Sequence, residues 1–528
     1  MSWTGAISAT VQWTYDGNMQ LTTEAVNDWT VSFAYDADGL LMDVGQVHLY
    51  RTAAGIADGT SLGPTADHAT LNAYAETENY TATYAGTQVL GFEYNRDTVG
   101  RITGVTEHGL GGDTYVGYAY DDAGRLRDAF YPAVNFHYDY DPNGNRIARQ
   151  MITSSGTVTE TAAYDDQDRL VNYEGVQFTY TASGELLTKS DPTGVTRYAY
   201  DAVGNLRSVT LPDDTVIDYL IDGQNRRIGK KVNGTLVAGW LYSNQSQIVA
   251  ELDGNGKLVS RFVYASRTNI PDYMIRDNVT YRIFSDHIGS PRVVVNTATG
   301  AVAAKMQYDE FGNVTYETIP VFIPFGFAGG LYDRQTRLLR FGARDYDPRI
   351  GRWTAKDPIL FDASGTNVYE YALGDPVNNY DPSGLDTVTA DPHVQEIVLK
   401  LWKVAQWGHR PLEVFAFLTF DPQTGKYGCR QLPLSYQANK FTIKKGTVAP
   451  PNTIAMIHTH PNERTSEPDD PGDIVATNGF KKQLGIPVLY TISQKGIGKY
   501  VAGARRGTQE ETSLRFPNAA TDGCGCPK

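Results

Sequence analysis

The chain has 528 residues, enough for several domains unless a repeat joins them into one. Tyr 34 and Gly 52 against Phe 19, Trp 7 and Met 7, with only 20% charged residues, exclude a helical bundle and favour strands and turns, while 41% hydrophobic residues exclude disorder. Acidic residues number 60 and basic ones 46, and the formal charge of −14 argues against a protein that coats nucleic acid.

No run of eighteen apolar residues occurs, and the opening Met1-Ser-Trp-Thr-Gly5 lacks a basic stretch with an apolar one behind it, so neither a membrane span nor a signal peptide is expected. Charge and cysteine change at residue 385. Beyond it lie 17 basic and 13 acidic residues, a net of +4, which leaves −18 on residues 1–385. Cys429, Cys524 and Cys526 also lie beyond it. Three cysteines cannot build a disulfide framework, and Cys524-Gly-Cys526 reads as a reduced tail.

Along the first part, Tyr-Asp-x-x-Gly recurs from Tyr35, Tyr120, Tyr140, Tyr200 and Tyr308, with weaker copies at Tyr94, Tyr164, Tyr180 and Tyr219. From Tyr120 to Tyr219 the spacings are 20, 24, 16, 20 and 19 residues, about one hairpin per unit. Phe136-His-Tyr-Asp-Tyr140 alternates as a half-buried strand does; the following Asp supplies a turn acceptor, the Gly tolerates positive φ, and Asn145-Arg-Ile147 starts the return strand.

Residues 30–385 resemble the RHS/YD repeat. The resemblance implies a mainly β fold, in which YD-repeat hairpins spiral into a hollow shell over residues 1–320. Single hairpins are marginal, so stacking their edges into one sheet is physically favoured.

From 321 to 385, Pro324-Phe-Gly-Phe-Ala-Gly-Gly-Leu-Tyr-Asp333, Arg337-Leu-Leu-Arg-Phe-Gly-Ala-Arg-Asp-Tyr-Asp-Pro348, Gly351-Arg-Trp353, Asp357-Pro358, Asn367-Val-Tyr-Glu-Tyr371 and Asp381-Pro-Ser-Gly-Leu385 follow one another. This order is similar to the RHS-repeat-associated core. The resemblance implies an aspartate-type autoprotease that cuts Leu385–Asp386, with Asp357 and Asp345 as the carboxylates and Arg344 tuning their charge. Cleavage without Ser, Cys or metal requires one protonated and one ionised carboxyl. Asp347, Asp375 and Asp381 read as turn chemistry.

Residues 386–528 follow another pattern. Val394, Ile397, Val398, Leu401 and Val404 have the spacing of an amphipathic helix running to Trp407. Glu413–Phe420 reads as a strand, Asp421–Gly425 as a turn, Lys426–Arg430 as its return, and Ile454–Ile457 as a buried strand entering His458-Thr-His460-Pro461. A helix from Asp473 to near Gly485 and a strand at Pro487–Ile492 complete an α/β unit on a small mixed sheet.

Two histidines two apart on a strand share a face, and the loop Ser466–Asp473 offers carboxylates for a third ligand. This constellation resembles the JAB/MPN (JAMM) metalloprotease family, as found at the ends of polymorphic bacterial toxins. The resemblance implies Zn²⁺ held by His458, His460 and Asp473, with Glu413 as the general base of amide hydrolysis. The family's Ser-x-x-Asp fits two registers, ending on Asp469 or on Asp473. Asp473 precedes the apolar helix face and is preferred, which puts Asp470 in the serine's place.

There is no Gly-x-Ser-x-Gly, no P-loop and no deaminase signature, and Lys444-Lys445, Lys481-Lys482 and Arg505-Arg506 are separated pairs rather than a basic stripe. The expectation is a delivered toxin whose shell encloses its own C-terminal fragment and releases a zinc (iso)peptidase. That peptidase acts on a protein substrate, not nucleic acid, in the target-cell cytoplasm. The implied partners are an immunity protein and a secretion apparatus or other toxin subunits. The alternatives are a nuclease or other hydrolase cargo, or a non-enzymatic YD-repeat adhesion protein.

Overall fold

In the computed structural model the described residues are 1–385, apart from 54, 73–75, 110 and 360–366, together with the backbone of eight strands beyond 385. The chain divides into two compact units. One comprises Met1–Leu71, Thr77–Phe361 and Gly365–Leu385; the other comprises Asn72–Glu76, Asp362–Ser364 and Asp386–Lys528.

The first unit is built on a 31-stranded sheet running from Ser2–Trp3 to Val314–Glu317, in which each strand pairs antiparallel with the next in the chain. The Tyr-Asp-x-x-Gly motif makes its hairpin ends. In the turn after Tyr120, Asp121 Oδ1 accepts from the backbone N–H groups of Ala123 and Arg125, each at 2.9 Å. The Gly124 N–H donates to the Asp121 carbonyl at 3.0 Å, and Gly124 sits at φ +88°, where a Cβ would be strained. Asp36, Asp97, Asp141, Asp165, Asp201, Asp222 and Asp309 repeat this pattern. In the weaker copies Asp168 (φ 58°) and Asn225 (φ 62°) replace the glycine, the residue types that best tolerate that conformation.

The same repeat explains the tyrosines. The ladder register slips at Ala119/Tyr120, Asp139/Tyr140, Ala163/Tyr164, Ala199/Tyr200 and Gln307/Tyr308, one bulge per repeat in the same place. Bulges bend and twist a sheet, so a regular series of them coils it. Tyr120, Tyr140 and Tyr164, and Tyr242 further along the chain, also tie their repeats to earlier strands, donating to the carbonyls of Ile102, Leu126, Arg146 and Arg227 at 2.5, 2.7, 2.9 and 2.8 Å.

Coiling brings late strands over early ones. Trp3, Val11 and Val26 share a core with Leu241, Phe262, Met274 and Ile283, and Ala82, Phe92 and Tyr138 share another with Phe284 and Val293. The buried Arg282 reaches across to Asp67 at 2.9 Å.

Residues after the sheet fold against it as a second layer. Leu331–Asp333, Leu338–Phe341, Arg344–Asp347 and Arg352–Trp353 form a four-stranded antiparallel sheet. Its centre is aromatic: Phe327, Phe341, Tyr346, Trp353 and Tyr371 are buried together, with the rings of Tyr346 and Tyr371 4.3 Å apart.

In the second unit Lys426–Gln431, Phe415–Asp421, Thr453–His460, Val488–Ser493, Gly496–Val501 and Thr508–Glu510 form a sheet in that order, and Leu434–Gln437 pairs with Lys440–Ile443. All pairings are antiparallel except Thr453–His460 with Val488–Ser493, so the sheet is mixed. Parallel neighbours need a crossover connection, here 461–487. That stretch and the helices expected at 394–407 and 473–485 lie outside the described residues, and among the described residues there is no α-helix.

Candidate active site

The strand Arg344–Asp347 alternates, so Arg344 and Asp345 leave it on opposite faces. Arg344 meets the chain end of the core. Its Nη2 lies 2.7 Å from Asp357 Oδ2 and 3.3 Å from Asp381 Oδ2, its Nε donates to the Gly384 carbonyl at 2.5 Å, and its Nη1 donates to the Val368 carbonyl at 3.3 Å. The guanidinium lies 4.2 Å over the Trp353 ring, which fixes its plane. Arg344, Asp357 and Asp381 are 4, 3 and 2% exposed, so the whole group is out of water.

Backbone holds the segment before the expected cut. The Ala343 N–H donates to the Ser383 carbonyl at 2.8 Å, and Asp381 Oδ1 accepts from Ser383 Oγ (2.9 Å), the Gly384 N–H (2.8 Å) and the Leu385 N–H (3.3 Å). This approach requires glycine on both sides. A Cβ at Gly342 would overlap the Ser383 carbonyl, one at Gly384 would overlap the Phe341 carbonyl, and the two residues sit at φ +39° and +67°. The glycines of Phe341-Gly342-Ala343 and Ser383-Gly384-Leu385 thereby hold Leu385 beside Arg344.

Two carboxylates on one buried guanidinium cannot both be fully compensated. Burial pushes the Asp381 carboxyl up, and Arg344 and the hydrogen bonds from Ser383, Gly384 and Leu385 offset part of that rise. Asp357 takes the shorter contact to Arg344, and its Oδ1 accepts from the Ile359 N–H at 3.0 Å. Burial thus favours the protonated form at Asp381, beside the Asp357 carboxyl that takes the closer contact to Arg344.

Of the expected residues, Arg344, Asp357 and Leu385 come together. Asp345 does not join them: on the opposite face it lies 2.9 Å from Arg227 and 3.0 Å from Arg340, all three buried. Asp386 lies outside the described residues. Asp381, read from sequence as turn chemistry, stands in the place expected of Asp345. It does make that turn, and the same carboxylate also reaches Arg344. The signal was its position inside the motif that ends at the expected cut.

In the second unit, positions 458 and 460 fall on one face at the end of Thr453–His460, and Phe415, two residues after Glu413, is the register partner of His458. Glu413, Asp469 and Asp473 lie outside the described residues; among those described, no group of three metal-ligating side chains occurs.

A one-chain meander of YD hairpins closed by this core defines a YD-shell protein. The chain belongs to the Teneurin YD-shell family, which matches residues 1–380. Teneurin-3 of Danio rerio is 27% identical over 297 residues, 53% of this chain and 11% of that protein. The tRNA3(Ser)-specific nuclease WapA of Bacillus spizizenii is 27% identical over 256 residues, 47% of this chain and 11% of that protein. The chain thus spans about a tenth of the length of these curated relatives. Among solved structures, TcdB2-TccC3 superposes with a TM-score of 0.57 at 17% identity, covering 71% of this chain and 22% of that one. The Photorhabdus luminescens Tc holotoxin pore gives 0.56 at 16%, covering 72% and 21%. The mainly β fold is that of the Tc toxin shell.

Proposed function

We propose that this chain is the shell and cargo of a delivered bacterial toxin that cuts itself after Leu385. The observation that carries the proposal is Arg344, which binds Asp357 and Asp381 through Nη2 and the Gly384 carbonyl through Nε, one residue before the scissile bond. Asp357, whose carboxylate lies 2.7 Å from Arg344, takes a proton from water as that water adds to the Leu385 carbonyl carbon. Asp381, protonated, donates to the carbonyl oxygen. Collapse re-forms the carbonyl, returns its proton to Asp381 and breaks the Leu385–Asp386 bond, and the proton held by Asp357 passes to the leaving amine. Asp345 serves the fold rather than the chemistry.

For residues 386–528 the proposal is a JAMM-like zinc (iso)peptidase acting on a protein in the target-cell cytoplasm. Its support is the mixed sheet with His458 and His460 at one strand end. His458, His460 and Asp473 would hold the metal, and Glu413 would take and return the proton. Zinc there would lower the pKa of a bound water toward about 7. An immunity protein and a delivery apparatus follow as partners, and the net charges of −18 and +4 favour retention of the cut cargo, subject to screening by salt. The nuclease named among the relatives motivates the second arm of the test.

Denaturing mass spectrometry of wild type and Asp357→Asn tests the cut. Zinc quantification in wild type and Asp473→Ala tests the metal, and full retention in the variant moves the ligand to Asp469. Incubation with RNA or with ubiquitin conjugates, with and without Glu413→Ala, separates nuclease from peptidase.

A further inference from the structure

The residue after the positive-φ position of each turn is not constant. Arg101, Arg125, Arg169 and Arg226 occupy this position in four repeats. Each donates through Nε to the aspartate of its own turn, at 2.8, 2.7, 2.7 and 2.9 Å. Each also lies over the tyrosine of the next repeat, at 4.7 Å (Tyr120), 4.7 Å (Tyr140), 5.8 Å (Tyr180) and 5.3 Å (Tyr242). One side chain thus closes its own turn and caps its neighbour.

Three repeats carry asparagine instead: Asn145, Asn205 and Asn313. Each amide still donates to its own aspartate, at 2.8 Å (Asp141), 3.2 Å (Asp201) and 2.8 Å (Asp309). It is too short to reach the next tyrosine, and all three are met by the core. Asn145 Oδ1 accepts from Arg352 Nη1 at 2.7 Å, Asn205 Oδ1 accepts from Arg340 Nη2 at 2.9 Å, and Asn313 Nδ2 donates to the Pro348 carbonyl at 3.0 Å. Arg352 then lies 4.8 Å over Tyr164, the tyrosine that an arginine at 145 would have covered. The core supplies in trans the cation that this repeat omits in cis.

From Asn145 a short path leads to the cleavage site. Asn145 Oδ1 also accepts from Asn367 Nδ2 at 2.8 Å, next to Val368, whose carbonyl holds Arg344 Nη1 and the Asp357 N–H (2.9 Å). Arg352 precedes Trp353, on which Arg344 stacks. Asn205 acts at the other end of the same small sheet through Arg340 and its partner Asp345.

We propose that Asn145 and Asn205 are positioning residues for self-cleavage: each holds an arginine of the core, Arg352 and Arg340, at the turn of its own repeat. This rests on the self-cleavage reading above. The test measures cleavage after dilution from denaturant, together with thermal midpoint, for wild type, Asn145→Arg, Arg352→Asn and the exchange Asn145→Arg/Arg352→Asn. Each single change is expected to slow cleavage at least tenfold, because Asn145→Arg expels Arg352 from Tyr164 and Arg352→Asn leaves that ring uncovered. The exchange restores one arginine over Tyr164 and is expected to recover most of the rate.

Wild-type rates in Asn145→Arg, or an exchange no faster than the slower single variant, would overturn the proposal. If the wild type itself stays uncut, the self-cleavage reading fails, and docking is judged by hydrogen exchange over residues 352–371. Asn145→Arg must then lose protection there and the exchange regain it; unchanged protection overturns the proposal.

Discussion

Arg344 and Asp345 are neighbours in sequence with separate tasks, because a strand sends consecutive side chains to opposite faces. Asp345 compensates two buried arginines, Arg227 and Arg340. Asp345→Ala is therefore expected to destabilise the fold by about 3–5 kcal/mol, the usual cost of leaving a buried charge without its partner, read as a lowered thermal midpoint. Asp357→Asn keeps the shape and a hydrogen-bonding oxygen, so it is expected to leave the midpoint within a few degrees while abolishing cleavage. A variant that unfolds instead would make Asp357 structural as well. The resemblance carried by Arg344-Asp-Tyr346 and Lys356-Asp-Pro358 pointed to Arg344 and Asp357, which the fold brings to 2.7 Å. Asp381 was not, since an Asp-Pro-Ser-Gly turn looks the same whether or not an arginine from a strand 37 residues earlier reaches it.

The repeating element was the most legible part, because its turn is specified locally. Tyr-Asp-x-x-Gly contains the acceptor, the positive-φ residue and the tether within five positions. Asp121→Ala removes the acceptor for two backbone N–H groups and the partner of Arg125, and is expected to cost about 1–3 kcal/mol by denaturant titration. The core depends instead on the close passage of two distant backbones. Gly384→Ala, strained at φ +67° and overlapping the Phe341 carbonyl, is expected to slow cleavage strongly with little change in the shell's thermal midpoint. Two of the weaker repeats show where local reading slipped. At Tyr94 and Tyr219 the turn aspartate comes three residues later, at Asp97 and Asp222, so Arg96 and Ile221 hold the bulge position. The arginine after the positive-φ turn residue is not legible locally as a cap, because its partner, the tyrosine of the next repeat, comes 11–19 residues later.

At the scale of the whole molecule, two carboxyls buried in the core give the first unit's stability a direction in pH. Burial pushes Glu370 up to about 7 and Asp375 up to about 6. Their native forms hold protons more tightly than the unfolded chain does, so their stabilisation is complete below about pH 4 and is lost as pH rises through 6 and then 7. The thermal midpoint is expected to be higher at pH 5.5 than at pH 8, and Glu370→Gln is expected to flatten that difference; an unchanged slope would remove Glu370 as its source. The mainly β shell was legible from repetition, and the composition change at 385 coincides with the end of Asp381-Pro-Ser-Gly-Leu385. The central claim is that the shell cuts itself there through Asp357. Intact mass spectrometry of the freshly purified chain under denaturing conditions tests it most directly. The account predicts two polypeptides, 1–385 and 386–528, from the wild type and one of 528 residues from Asp357→Asn; a single uncut wild-type chain, or the same two fragments from the variant, would contradict it.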